Sequence, residues 1–237
     1  MNCETGDGVF ALEPGDYGVF LVAAPHALRN SGSTRARWTE MLAPQPRLAS
    51  KGDVFTVAAP FSHSGPPLRI DARDPRTRFF GNITMQHMNP GKQSQELLAV
   101  SASMRSALLV YSGITVKMMV DSQLGAYLAT MFMVHYEPKG LASSHDHPFE
   151  ETYLITDGEV DAWFDDAKYH LKPGDIAWAG VGCIHGFRNT SNTTVTWLET
   201  SAPQPPARYS YRFARDWTYL EEALANAGQA VTGAQRG

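Results

Sequence analysis

His145 and His147 stand two residues apart, Glu151 follows four residues later, and His185 lies 34 residues beyond that glutamate. Side chains at i and i+2 of a strand project from one face, so two imidazoles at this spacing can meet on one ion, and Glu151 has the same parity. His185 ends the run Gly180-Val181-Gly182-Cys183-Ile184-His185. Its glycines let the backbone bend sharply before a strand that brings a further imidazole in from elsewhere in the sheet. Such a donor set suits one divalent transition metal, Fe, Mn, Ni, Cu or Zn, and residue type alone does not choose among them. Four protein ligands on an octahedral ion leave two adjacent positions open, for a substrate chelating through oxygen or for one substrate atom and dioxygen.

The elements that must position these residues read as strands. Ile114 to Val120, Ala126 to Tyr136, Ser144 to Thr156, Val160 to Phe164 and Lys168 to Leu171 alternate or are rich in strand formers, with turns at Asp157-Gly158 and Asp165-Asp166. Further strands are expected around Trp178, His185 and Trp197, and nearer the start at Val19 to Ala24 and Arg35 to Met41. Residues 47 to 112 mix proline-rich turns with a possible helix around Ser94 to Ser103. Thr218-Tyr219-Leu220-Glu221 has the form of a capping box and opens a short amphipathic helix that stops before Gly228.

The flanking residues carry a resemblance. Gly140-x4-His145-x-His147-x3-Glu151-x6-Gly158, followed by Gly174-x5-Gly180-x-Gly182-x2-His185-x3-Asn189, resembles the two consensus motifs of the cupin superfamily. Four residues instead of five separate Gly140 from His145, and Gly180 stands where proline is usual; neither departure touches a ligand position. The resemblance implies an all-β fold, a jelly-roll barrel, in which His145, His147, Glu151 and His185 are the metal ligands.

A second signal organises the chain. Residues 12–46 align without a gap on residues 171–205, with 15 of 35 positions identical, where unrelated segments would share roughly two, so the chain contains an internal repeat. It therefore resembles a bicupin. His26 falls on His185, but nothing upstream corresponds to His145, His147 or Glu151, so the first copy is expected to be partial, a shortened bicupin unable to build the same site. The organisation expected is 1–46 as the second half of a first copy, 47–112 as a connection and cover, and 113–237 as the complete metal-binding domain with its terminal helix. Val19, Leu21, Leu28 and Trp38 would lack the strands that normally bury them, and a homodimer is the expected remedy.

Composition narrows the partners. The 237 residues are 43% hydrophobic and 19% charged, with net charge -4 and no long Lys/Arg run, which disfavours nucleic acid and anionic membrane surfaces as partners. No apolar stretch reaches the roughly 18 residues that a membrane span needs. Two cysteines, Cys3 and Cys183, suit a reducing, cytoplasmic setting rather than a disulfide framework.

Small molecules are the partners left, and Tyr153, Ile155, Trp163, Trp178, Phe187 and His135 are the candidate pocket residues. Aromatic walls suit a planar or hydrophobic organic substrate. The resemblance to quercetinase and gentisate dioxygenase branches implies a dioxygenase acting on an enolic, phenolic or diketone-like substrate, with Glu151 as ligand or catalytic base. Resemblance to ureidoglycine aminohydrolase and to cupin isomerases and decarboxylases implies a non-redox alternative, and a binding protein without catalysis is a third.

Overall fold

The computed structural model describes residues 1–44, 61–71, 73–89, 111–203 and 212–213. The expected helices at 94–103 and 218–228 lie outside these residues. The chain divides into two compact units, one made of Met1–His87, Met118–Met131 and Ala202–Gln204, the other of Met88–Lys117, Phe132–Ser201 and Pro205–Gly237. Among the described residues no helix is long and apolar enough to cross a membrane.

The first unit holds strands β1 (Asn2–Thr5), β2 (Gly8–Ala11), β3 (Asp16–Gly18), β4 (His26–Arg29), β5 (Leu68–Arg69) and β6 (Phe80–Asn82). They form a sheet in the order β4-β1-β2-β5 and a separate β3-β6 pair. Cys3 and Phe10 face each other across the β1–β2 hairpin and are fully buried. Phe80 packs on Phe10 with ring centroids 5.0 Å apart, and β5 pairs with β2, so residues 68–80 supply part of the cover for this face.

The second unit holds most of β7 (Tyr111–Val120), β8 (Thr130–Asp146) and β14 (Val195–Ala202), whose residues 118–120, 130–131 and 202 fall in the first, and all of β9 (Glu150–Asp157), β10 (Val160–Phe164), β11 (Ala167–Leu171), β12 (Ile176–Ala179), β13 (His185–Arg188) and β15 (Arg212–Phe213). Their order is β11-β10-β13-β8-β14-β9-β12, with β7 and β15 also paired to β8. The all-β expectation holds. Burial alternates along β9 and β10, as a half-buried strand requires. Val160, Ala162, Ile155, Val195, Phe187 and Trp197 are nearly inaccessible and fill the barrel.

The repeat is visible in the pairing, and it reaches further upstream than the sequence showed. With a constant offset of 159 positions, β1 and β2 fall on β10 and β11, and β4 falls on β13. Asn2 pairs with Arg29 and Thr5 with His26, as Asp161 pairs with Arg188 and Phe164 with His185. The hairpins agree too, Asn2 with Ala11 and Asp161 with His170. Yet between residues 2–11 and 161–170 only Asp7 and Asp166 coincide in type. Gly15 and Gly174, at φ +89° and +93°, occupy matching left-handed positions that glycine reaches without steric cost.

Two expected strands are absent. Val19 to Ala24 carries only a turn at Val22-Ala23 beyond β3, and Arg35 to Met41 forms no strand. The second copy's counterpart of Arg35 to Met41, β14, lies between β8 and β9. Among its described residues the first unit offers 36–43 no such pair of neighbours, and an extended segment without ladder partners keeps its backbone groups in water. Trp38 is accordingly 54% exposed where its repeat partner Trp197 is 1% exposed.

The two copies give a matched test. Asn189, fully buried, donates to Glu137 O (3.0 Å) and Thr193 O (2.7 Å) and accepts from Ser191 N at 3.0 Å. Asn30 keeps the local half of this set, to Thr34 O (2.8 Å) and from Gly32 N (3.1 Å), on an exposed loop. Asn189 makes these bonds in a part-buried setting and reaches Glu137 across the sheet, whereas Asn30 makes only exposed local ones, so removing Asn189 costs more. Asn189→Ala should therefore lower stability by about 2–4 kcal/mol and Asn30→Ala by under about 1 kcal/mol, read by urea unfolding followed through tryptophan fluorescence.

Candidate metal centre

His145 owes its position to an irregularity. β8 and β13 pair Phe187 with Ala142 but His185 with His145, so three residues on β8 span what two span on β13. This bulge passes the inward face from even to odd numbers. Phe132, Val134, Tyr136 and Ala142 line the core before it, and His145 faces His185 after it. The bulge is packed from outside: Trp163 Nε1 donates to Ser144 Oγ at 2.8 Å. A Cβ on Gly186 would lie 2.3 Å from the Trp163 ring, so glycine is required there.

His147 does not continue β8. It lies in the bend after Asp146, and Glu151 enters from β9. Convergence therefore comes from a tight reversal between two strands, not from parity along one strand. Two backbone bonds hold this end together: Cys183 N donates to Gly180 O and Gly182 N to His147 O, each at 3.0 Å.

Three imidazoles converge, with one nitrogen from each of His145, His147 and His185 within 4.8 Å of the others, all buried. Their Nδ1 atoms sit on backbone carbonyls: Ser143 O at 2.8 Å, Phe149 O at 2.7 Å and Cys183 O at 2.9 Å. A carbonyl only accepts, so each Nδ1 carries the proton and Nε2 faces the centre. Glu151, 1% exposed, places Oε2 2.9 Å from His147 Nε2 and 3.6 Å from His185 Nε2. Ser201 Oγ donates to its other oxygen at 3.1 Å. Tyr153 Oη donates to Glu151 Oε2 at 2.6 Å and lies 2.9 Å from His185 Nε2.

Electrostatics divide the histidines. Burial, with His185 beside it, pushes the His145 imidazole down to about 3, so it is neutral at any ordinary pH. Burial also works against charge on His147, but the hydrogen bond and charge of Glu151 outweigh it and hold His147 above its ordinary 6.5. Burial alone would raise the Glu151 carboxyl; its contacts with His147 and His185 keep it well below the usual range instead. The contact therefore favours a proton on His147 and a charge on Glu151, and a bound cation would take that proton's place.

Three site residues, Glu199, Ser201 and Phe164, went unread in the sequence. Trp197, Glu199 and Ser201 follow one another at strand spacing on β14, and Trp197 Nε1 donates to Glu199 Oε2 at 2.9 Å. Glu199 is in hydrogen-bond contact with Glu151, and burial together with that neighbour pushes its carboxyl well above the usual range. The signal was present: Trp-x-Glu recurs in the repeat as Trp38-Thr39-Glu40. Phe164, on the inward parity of Val160 and Ala162, stacks 6.0 Å from His185.

Of the expected pocket residues, Tyr153, Ile155 and Phe187 lie inside the barrel, at 1%, 1% and 2% exposure. Trp163 and Trp178 do not. Trp163 has the parity opposite to Phe164, and Trp178 pairs with Thr152 rather than with Glu151 or Tyr153, leaving it 59% exposed. His135 also faces away, its Nδ1 2.9 Å from Thr196 Oγ1 and its Nε2 3.6 Å from Glu137. His26 keeps the Nδ1 contact of its repeat partner, 3.0 Å to Ala24 O, but is exposed and stacked on Phe20.

Residues 132–201 match the family model described as Cupin domain. Among solved structures, the polyketide cyclase RemF from Streptomyces resistomycificus is 20% identical with a TM-score of 0.40, covering 44% of this chain and 73% of that one. An uncharacterized double-stranded β-helix protein from Klebsiella pneumoniae subsp. pneumoniae is 22% identical, TM-score 0.38, covering 44% and 87%. A cupin-like protein from Thermotoga maritima is 18% identical, TM-score 0.40, covering 47% and 86%. No curated protein sequence matches the chain. The domain match, the nearly closed antiparallel barrel and the inward histidines support the cupin superfamily for this region.

The donor set fits a divalent first-row metal: three imidazoles oriented through Nδ1, and a carboxylate against two of them. His147→Ala should remove most bound metal, measured on protein dialysed against Zn(II) or Fe(II) and then analysed for metal content. Binding must also displace the His147 proton wherever that ring is charged. The slope of log affinity against pH should therefore be steeper by about one below the His147 pKa than above it. His145 adds nothing to this change, because its pKa of about 3 lies far below the range. Calorimetric titrations at several pH values check the slope.

Proposed function

We propose that this chain is a metal-dependent enzyme of the dioxygenase type, acting on a small enolic, phenolic or diketone-like substrate at the His145, His147, Glu151 and His185 centre. The observation that supports it most is the convergence of three buried imidazoles, each fixed through Nδ1, on one carboxylate inside an apolar barrel. A divalent metal held there would supply Lewis acidity and, if redox-active, a centre for dioxygen.

The chain's own residues do the rest. Phe164 and Phe187 set an aromatic boundary beside His185 and exclude water from reactive species. Glu151, when it leaves His147, is placed to accept the proton of an enol or phenol. Ser201 and Tyr153, hydrogen-bonded to its two oxygens, fix where that proton is received.

Glu199 favours a second reading. A buried carboxyl whose ionisation is opposed by burial and by the neighbouring Glu151 suits a general acid for isomerisation or decarboxylation without oxidation. An oxygen electrode separates the two. With Fe(II)-loaded protein and a panel of catechols, flavonols and diketones, the dioxygenase reading expects oxygen uptake matched to substrate loss. Turnover that continues unchanged without oxygen would replace it by the acid–base reading.

A further inference from the structure

Tyr169 stands on the inward face of the barrel and yet half in solvent. On β11 it pairs with Ala162, a residue of the buried core, and residues directly opposite on an antiparallel ladder share a face. Leu171, two positions along the same strand, has the same parity, pairs with Val160 and is buried. Tyr169 is nevertheless 51% exposed. The first copy shows what fills this position. At the offset of 159, Phe10 falls on Tyr169 and pairs with Cys3 as Tyr169 pairs with Ala162. Phe10 is fully buried, with the ring of Phe80 packed on it at a centroid distance of 5.0 Å. One register position thus carries an aromatic ring in both copies, and in the first a second aromatic ring covers it.

Tyr169 is also continuous with the metal centre. Its ring meets Phe164 edge to face at 5.9 Å, and Phe164, opposite His185 on the β10–β13 ladder, lies parallel to that imidazole at 6.0 Å and 12°. Exposure rises along the three, from buried His185 through partly buried Phe164 to exposed Tyr169. They form a graded aromatic path from solvent to the histidines. β10 lies between β11 and β13, so two strand spacings, about 10 Å, separate the strand of Tyr169 from that of His185. A single phenol bound at the histidines does not span that distance; a molecule with a second ring does.

We infer that Tyr169 is a substrate-binding residue, an aromatic platform at the rim of the site, and that the substrate is an enol or phenol carrying a second aromatic ring remote from its metal-binding oxygen. The inference rests on the proposed function above. The remote ring takes on Tyr169 the place that Phe80 takes on Phe10. No bond is made or broken there: the platform contributes stacking and the removal of apolar surface from water.

The test compares two ligands that differ by one ring. Protein is loaded with Zn(II), its zinc content is measured, and it is titrated by calorimetry with catechol and with 4-phenylcatechol. The ratio of the two affinities reads the second ring, because a change at the metal affects both ligands alike. Wild-type protein is expected to bind 4-phenylcatechol about 5- to 10-fold more tightly, the worth of one aromatic contact with its burial. Tyr169→Ala should lose most of that preference, and Tyr169→Phe, which keeps the ring, should retain it. A ratio near one in the wild type, or a preference that survives in Tyr169→Ala, overturns the platform and leaves the proposed function standing. Zinc held without binding of either catechol overturns the phenolic substrate and the platform with it. Failure to hold zinc overturns the metal centre and everything built on it. Should Tyr169→Ala not fold, Tyr169→Leu, which has bulk but no ring, takes its place with the same expected loss.

Discussion

Three imidazoles in an apolar barrel are tolerable only if each has a defined place for its proton, and the backbone provides that place. Ser143 O, Phe149 O and Cys183 O each take one Nδ1–H. All three carbonyls stand two residues from their histidine, so each contact is local and is fixed once the backbone bends correctly. Everything else at the centre follows from it, because the ring orientation points Nε2 inward. A flipped ring would bury a donor without an acceptor, at a cost comparable to a whole hydrogen bond.

The fold's irregularities are what make those local contacts converge. The bulge in β8 turns His145 inward, the bend after Asp146 brings His147 back, and the left-handed Gly182 precedes His185. The regular strands contribute the apolar remainder, in which Phe187, Trp197 and Tyr153 interlock beneath the centre. The site is therefore polar only where the chain departs from ideal pairing, a common placement for functional residues.

The first unit shows the same local rules without the enclosure. β1, β2 and β4 reproduce the register of β10, β11 and β13 pair for pair, and His26 keeps its carbonyl contact. Among the described residues nothing corresponding to Glu151 or the β8 histidines faces it, and the imidazole stacks on Phe20 in the open. The comparison separates what a hairpin can arrange from what needs a barrel.

Residue type and spacing determined the donor set, the all-β class and the repeat from Leu12 onward, because metal ligation and turn chemistry demand particular residues at particular positions. Parity along uninterrupted strands also puts Tyr153, Ile155 and Phe187 on the inward face, where they are buried. The facing of Trp163, Trp178 and His135 was decided by tertiary structure: the choice between two faces depends on where a strand starts and which partner it meets. Glu199 and Ser201 became part of the site only through β14's pairing beside β9. The upstream extension of the repeat was invisible for a related reason. Ladder hydrogen bonds join backbones, so a register can persist while nearly every side chain on it changes.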